Sequence, residues 1–312
     1  MQDQTAVHSL WVEKYRPKTL KDYVGNEHVK QSFQWYVENQ DIPHLLLHSR
    51  KPGSGKTTAA KMLSKLIVCD YMYINASHEN SIDIVRNKIV HFASTMSFNP
   101  LKIIILDESD FLTGNAQAGL RNVMEQFSKS CRFVLTCNYI ERIIEPVVSR
   151  CQTFEIIPPK KSDVGKRLAH ILQQENIHFD LKDVATIVNL SYPDIRKAIS
   201  LCQNGSRTGT LDVPKKIATQ HSYIDSVMEV LQTHITPVQA VTQIRKILAT
   251  ANVSRFEELY TALYQNIDSW CTPEKIGECL LVIANYQQMD ALVVDKEINT
   301  AAMFVALFNI IK

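Results

Sequence analysis

The sequence predicts an α/β fold that passes into an all-helical second half, and three observations carry the prediction. Four apolar runs, Leu45–His48, Tyr71–Asn75, Lys102–Asp107 and Arg132–Cys137, with a weaker fifth at Thr153–Ile157, alternate with helix-like segments. Continuous apolar runs between helical patterns describe a parallel sheet covered on both faces. Pro158-Pro159 then interrupts the alternation, because two successive prolines continue neither a helix nor a central strand. Beyond them apolar residues recur at helical spacing: Val164, Leu168, Ile171 and Leu172 on one face, then Leu181, Val184, Ala185 and Val188. A third helix is expected to start near Tyr192-Pro193, the 205–210 stretch reads as a linker, and Val241, Ile244, Ile247 and Leu248 mark further helices.

Composition narrows the function classes. At 312 residues, 45% hydrophobic and 21% charged, the chain has room for about two or three domains with sizeable cores. A net charge of +2 supplies no global basic field, so contact with nucleic acid has to come from a local patch or from several copies together. The seven cysteines are scattered without a C-x-x-C pair, which argues against zinc and for reduced thiols in a cytoplasmic setting. Residues 1–9 lack the apolar run of a signal peptide, and Ala301–Ile311 is shorter than the ~20 apolar residues a bilayer requires.

The chemistry concentrates at two places. Pro52-Gly53-Ser54-Gly55-Lys56-Thr57-Thr58 follows the first apolar run and opens the helix-like stretch Thr58–Ile67. A glycine loop between strand and helix lets backbone N–H groups close around phosphates at a favourable helix terminus. Lys56 is then placed for the β- and γ-phosphates of ATP and the Thr57 hydroxyl for Mg²⁺. The full P-loop pattern has glycine where Arg50 stands, so Pro52-Gly53 has to supply the turn. About fifty residues on, Ile103-Ile104-Ile105-Leu106 runs into Asp107-Glu108-Ser109-Asp110. A buried strand ending in two acids is the Walker B arrangement, with Asp107 for the metal and Glu108 for the attacking water.

Further segments resemble sliding-clamp loader subunits of the replication factor C type, within the AAA+ class of P-loop ATPases. They are Trp11-Val12-Glu13-Lys14-Tyr15-Arg16-Pro17, Thr19 to Gly25, Ser149-Arg150-Cys151 and Tyr192-Pro193-Asp194-Ile195-Arg196-Lys197. The loop without its first glycine and the His91–Phe98 stretch resemble the large subunit of T-even-like bacteriophage loaders. The resemblance implies that Val12, Glu13, Lys14, Tyr15 and Val24 wrap the adenine, with Gly53, Ser54, Gly55, Lys56, Thr57 and Thr58 on the phosphates. It implies that Asn138 is sensor 1, holding the lytic water, and that Arg196 is sensor 2. Arg150 becomes an arginine finger reaching the site of a neighbouring copy.

Asn75 to Arg86 resembles the family's DNA-tracking helix, so Ser81, Ile82 and Arg86 are expected on template phosphates. Met96 and Phe98 are expected to grip the clamp, and Gln117 and Arg121 to relay DNA binding to Glu108. The implied layout is an AAA+ module at 1–156, a helical lid at 157–207 and a helical collar at 222–312. The face holding Met303, Phe304, Leu307 and Ile311 is expected to bury against neighbouring copies. The implied partners are the sliding clamp, primer–template DNA, likewise folded copies of this chain (four in the phage system) and one different small subunit.

Overall fold

The structure is a computed structural model that describes residues 10–212, 215–233, 236–251, 253 and 256–311; side chains at 84–86 and 215–222 lie outside that description. Contacts divide the chain into two compact units, Met1–Asp212 and Val213–Lys312.

In the first unit, strands β1 (Leu45–His48), β2 (Cys69–Asn75), β3 (Leu101–Asp107), β4 (Cys131–Cys137) and β5 (Gln152–Glu155) form one parallel sheet in the order β2-β3-β4-β1-β5. Every strand read from the sequence is present, with ends moved by two residues or fewer. Helices α1 (Trp11–Lys14), α2 (Glu27–Asn39) and α3 (Lys56–Leu66) precede β2, and the helical turns α4 (Ile82–Ile84) and α5 (Val90–Ser94) precede β3. Helix α6 (Gly114–Gln126) lies between β3 and β4, and the short α7 (Glu145–Val148) precedes β5.

The central strands β1, β3 and β4 are buried on both faces, which explains their long apolar runs, whereas the edge strands β2 and β5 are partly exposed. Successive side chains of a strand point to opposite faces. Ile103 and Ile105 of β3 enter a core with Val29 and Phe33 of α2 and Ala59 and Leu63 of α3. Ile104 and Leu106 enter a second core with Leu120 and Met124 of α6 and Val147 of α7. Truncating any of these isoleucines to alanine costs about 2–5 kcal/mol, because neither core has solvent to refill the space.

Helices α8 (Lys161–Gln174), α9 (Leu181–Ser191) and α10 (Ile195–Gly205) complete this unit. Asp180 accepts from Lys182 N at 3.0 Å and Asp194 from Lys197 N at 3.0 Å, so both later helices start on a carboxylate cap. The third helix thus begins at Ile195, just beyond the proline that marked it. The 205–210 stretch, expected to be a linker, is held down by backbone bonds from His178 N to Gly209 O, Leu211 N to His178 O and Asp212 N to Gly205 O, with Leu211 buried.

The second unit comprises α11 (Lys215–Gln232), α12 (Pro237–Ala251), α13 (Glu257–Gln265), α14 (Ile267–Trp270), α15 (Ile276–Asp290) and α16 (Lys296–Ile311) around one apolar core. One expectation is corrected here. Met303, Phe304 and Leu307 are fully buried in that core against Tyr260, Ile283 and their neighbours, with Ile311 packed at its margin. A helical unit of this size needs an interior of its own, and this face of α16 helps supply it. Among the described residues no helix is long and apolar enough to cross a membrane.

Candidate active site

The carboxyl ends of β1, β3 and β4 converge on one pocket, where open parallel sheets place their ligands. Its walls are Pro52 to Thr58, Asp107, Glu108, Thr136, Cys137, Asn138 and Arg196. The loop is shaped by two left-handed glycines, Gly53 at φ 65° and Gly55 at φ 100°. A Cβ at Gly55 would press the Tyr23 ring at 3.0–3.1 Å, and one at Gly53 would meet the Asp194 carboxylate at 1.9 Å. Both positions therefore require glycine for backbone and for space. Helix α3 begins directly after Gly55 without a side-chain cap, leaving its first N–H groups for an anion. Lys56 Nζ donates to Ser49 O at 3.1 Å and Lys51 O at 3.4 Å. Burial lowers its pKa from the usual lysine value, opposed by the charges of Asp107 and Asp110 among others.

Asp107, 5% exposed, is held by hydroxyls from three elements. Thr57 Oγ1 donates to its two oxygens at 2.8 and 3.0 Å, Tyr73 Oη donates at 2.7 Å, and Thr136 Oγ1 donates to Oδ1. Thr136 also accepts from Glu108 N at 3.1 Å, so one hydroxyl fixes both acids. Glu108 is held at φ 55°, a left-handed conformation that costs a glutamate on the order of 1 kcal/mol. It turns the chain out of the strand at the pocket wall that Glu108 lines. Asp110, buried, accepts from the backbone N–H groups of Asn138 and Tyr139 at 3.3 Å each, which sets the turn carrying Asn138.

These residues fit ATP and Mg²⁺. Ser54 Oγ and Asp110 Oδ1 are buried without a hydrogen-bond partner, the first inside the glycine cradle itself. The Thr57 hydroxyl and Asp107 carboxylate are hard oxygen donors, the set Mg²⁺ takes beside phosphate and water.

A second cavity shares Gly53, Ser54, Gly55, Thr58 and Arg196 with the phosphate pocket and adds Val12, Tyr15, Tyr23 and Val24 with Arg167 of α8 and Ile195 and Ile199 of α10. Its apolar walls suit a flat base. Glu13 and Lys14 do not line it: Glu13 pairs with Arg16, and Lys14 pairs with Glu175 at 2.7 Å. Those pairs anchor the N-terminal segment, together with Trp11 N to Gln203 Oε1 at 3.0 Å, Tyr15 Oη to Glu175 at 2.6 Å and Arg167 to Tyr15 O at 2.9 Å.

The other expected residues lie elsewhere. Arg150 lines neither cavity; it donates to Pro146 O at 2.6 Å and pairs with Glu125. Ser81 and Ile82 stand at the start of α4, while the Arg86 side chain is outside the described residues. Met96 and Phe98 are fully exposed, at 100% and 107%. The backbone between them is pinned, since Ser97 Oγ and Asn99 Nδ2 donate to Asp70 at 2.5 and 2.6 Å. The buried Lys102 amine bonds Phe92 O at 2.7 Å and Thr95 O. Gln117 is buried and joins Leu112 O, Arg142 O and Ile144 N, whereas the Arg121 guanidinium donates to its neighbour Asn122 Oδ1 at 3.2 and 2.8 Å.

Sequence reading missed Tyr73, Thr136 and Arg167. Thr136 carried a usable signal, a hydroxyl within the buried apolar run 133–137 of β4. Tyr73 and Arg167 reach the site from other elements, and their spacing in the chain announces nothing.

A glycine cradle opening a helix, two strand-end acids beside it and Arg196 of α10 across the same pocket define a P-loop nucleotide-binding protein. The family model for the ATPase family associated with various cellular activities (AAA) matches residues 46–159. Among solved structures, the Thermotoga maritima RuvB Holliday junction branch migration motor shares the fold at a TM-score of 0.56 and 15% identity, over 74% of this chain and 85% of that one. Among sequences, the Replication factor C small subunit of Saccharolobus solfataricus is 36% identical over 272 residues, 83% of this chain and 81% of the relative. The chain belongs to the replication factor C small-subunit family. Relatives from Archaeoglobus fulgidus and Sulfolobus acidocaldarius are 45% and 41% identical, and in both the alignment spans 65% of the relative's length.

Proposed function

We propose that the chain is an ATP-hydrolysing subunit of a sliding-clamp loader that opens a ring clamp and places it on primer–template DNA during replication. The observation that carries this reading is the convergence of Lys56, Thr57, Asp107, Glu108, Asn138 and Arg196 on one pocket beside a base-sized cavity. When bound, MgATP supplies an electrophilic terminal phosphorus and a metal that neutralises charge on the phosphate oxygens. Lys56 and the first N–H groups of α3 hold phosphate oxygens, and Thr57 and Asp107 hold the metal. Glu108 accepts a proton from water that Asn138 orients. Arg196 reports the terminal phosphate to the lid, whose Asp194 touches the loop at Gly53.

In this reading Arg150 acts in trans. Its corner beside α6 and α7 is presented to the next protomer, where the guanidinium stabilises charge on the phosphoryl group. Residues 1–156 are the ATPase module, 157–207 the lid and 222–312 the collar. With Met303, Phe304 and Leu307 inside their own unit, a collar contact falls to exposed apolar residues such as Leu281, Ile298 and Val305. Ser81, Ile82 and Arg86 track DNA phosphates, and Met96 and Phe98 grip the clamp. The assembly has four copies and one different small subunit, as in T-even-like phages, and works in host cytoplasm; Arg50 in place of the first loop glycine supports the phage placement.

Turnover measured with and without clamp, primed DNA and the small subunit tests the loader reading. Clamp and primed DNA together should stimulate the ATPase well beyond single-stranded DNA alone, and equal rates would sink the proposal. Mixing Glu108→Gln and Arg150→Ala chains should restore part of the lost activity, since one class of mixed interface keeps both groups. No recovery at any ratio would remove the shared site.

A further inference from the structure

We infer that Tyr73, on the edge strand of the sheet, is a positioning residue for the metal at Asp107, and that Lys61 clamps it in place. The inference rests on the MgATP reading of the pocket and extends it to a strand outside the nucleotide motifs.

The geometry is a closed square of contacts. Thr57 and Lys61 lie four residues apart, on the same face of α3. Thr57 Oγ1 donates to Asp107 at 2.8 Å, and Lys61 Nζ stands 3.8 Å from the centre of the Tyr73 ring. Tyr73 Oη closes the square by donating to Asp107 Oδ2 at 2.7 Å. Strand β2 pairs with β3 so that Asn75 stands beside Asp107. Tyr73, two residues earlier on the same face, therefore reaches diagonally along the strand to the carboxylate.

Each side of the square does separate work. The cation over the ring face fixes the ring of a residue that is 37% exposed at an open sheet edge. The fixed phenol fixes the carboxylate's rotation. In that rotation one oxygen pair faces Thr57, whose hydroxyl can donate to Asp107 while its lone pairs face a cation. Without the phenol, Thr57 and Thr136 still hold Asp107, but nothing restrains Oδ2 from the β2 side. A metal then meets a carboxylate it has to orient itself.

The test uses the full-length chain, a fluorescent non-hydrolysable ATP analogue and Mn²⁺ as an EPR-visible metal. Tyr73→Phe should bind the analogue in EDTA within about twofold of wild type, since the phenol touches no phosphate-holding group. Its Mn²⁺ affinity with the analogue bound should fall about fivefold, the scale of one lost orienting hydrogen bond. Lys61→Met should shift Mn²⁺ affinity the same way by less, and it reads the square independently if Tyr73→Phe folds poorly. A Tyr73→Phe chain with unchanged or tighter Mn²⁺ binding overturns the inference while leaving the MgATP reading standing. A wild-type chain that binds the analogue but no Mn²⁺ overturns both.

Discussion

The phosphate pocket and the Ser149–Cys151 corner are both built around basic residues, and they are built in opposite ways. Lys56 and Arg196 sit in a concavity with two acids, an amide and the glycine cradle, all from one chain. Arg150 lines neither cavity, its side chain is one-third exposed, and its pairing with Glu125 closes a surface corner. An exposed pair of that kind contributes about 0–1 kcal/mol, so it neither fixes the arginine nor resists its transfer to a better anion. The pocket is specified by the fold; the corner, under the proposed function, is a side chain whose place an assembly would decide.

The sharpest way to break this contrast is Arg150→Ala. Turnover of the assembled complex should fall by about 10³-fold, the lower range for a trans arginine on a transferring phosphoryl group. Nucleotide affinity of the lone chain should stay within about twofold, because Arg150 touches no wall of either cavity. A comparable loss of affinity in the lone chain would place Arg150 in its own pocket and dissolve the distinction. Glu108→Gln is the complementary change within the pocket. The kcat should drop by about 10²–10³-fold with ATP still bound, as expected for removing a positioned base that holds no phosphate. A raised KM at unchanged kcat would show that Glu108 contributes to binding instead.

Thr136→Val probes how the pocket is fixed, with an effect smaller again. The valine keeps the shape but removes the acceptor for Glu108 N and a donor to Asp107. The stranded N–H costs about 1–3 kcal/mol of stability, read as a shift in the urea midpoint of the first unit. Turnover should fall about tenfold as Glu108 loses its left-handed seat. Loss of turnover without loss of stability would mean that Glu108 is placed by something other than this bond.

What the sequence revealed follows the same division. The central strands β1, β3 and β4 were the most legible because they are buried on two faces, so their apolar runs are long. Lys56, Thr57, Asp107 and Glu108 were legible because strand and helix ends carry them at fixed spacing. Tyr73 and Arg167 were not, because partnership across 34 and 152 residues, to Asp107 and to Tyr15 O, leaves no periodic trace. The face of α16 was misread for a related reason. Met303, Phe304, Leu307, Ile298 and Val305 make that helix apolar on several sides, and a helix without a polar face does not say which side turns inward. The inward side is decided by the core it shares with Tyr260 and Ile283.

The smallest effect is expected at the far end of β1, and it separates the pH response of the fold from that of the site. His44 Nδ1 accepts from Phe133 N at 3.1 Å, which requires the neutral ring. Burial, aided by the Arg132 charge, lowers its pKa from the usual 6.5 to about 4. The unfolded chain therefore takes up this proton near pH 6.5, while the folded chain refuses it until about pH 4. Stability from the neutral ring is fully present above pH 6.5 and declines as the pH falls toward 4. Allowing for partial exposure, the loss is on the order of 1–2 kcal/mol. His44→Asn, which keeps an acceptor and removes the titration, should flatten the acid slope of unfolding midpoints while leaving the pH profile of ATP binding unchanged. If the slope persists in that variant, the acid sensitivity of this unit belongs to its carboxylates, and the sheet and the site titrate together.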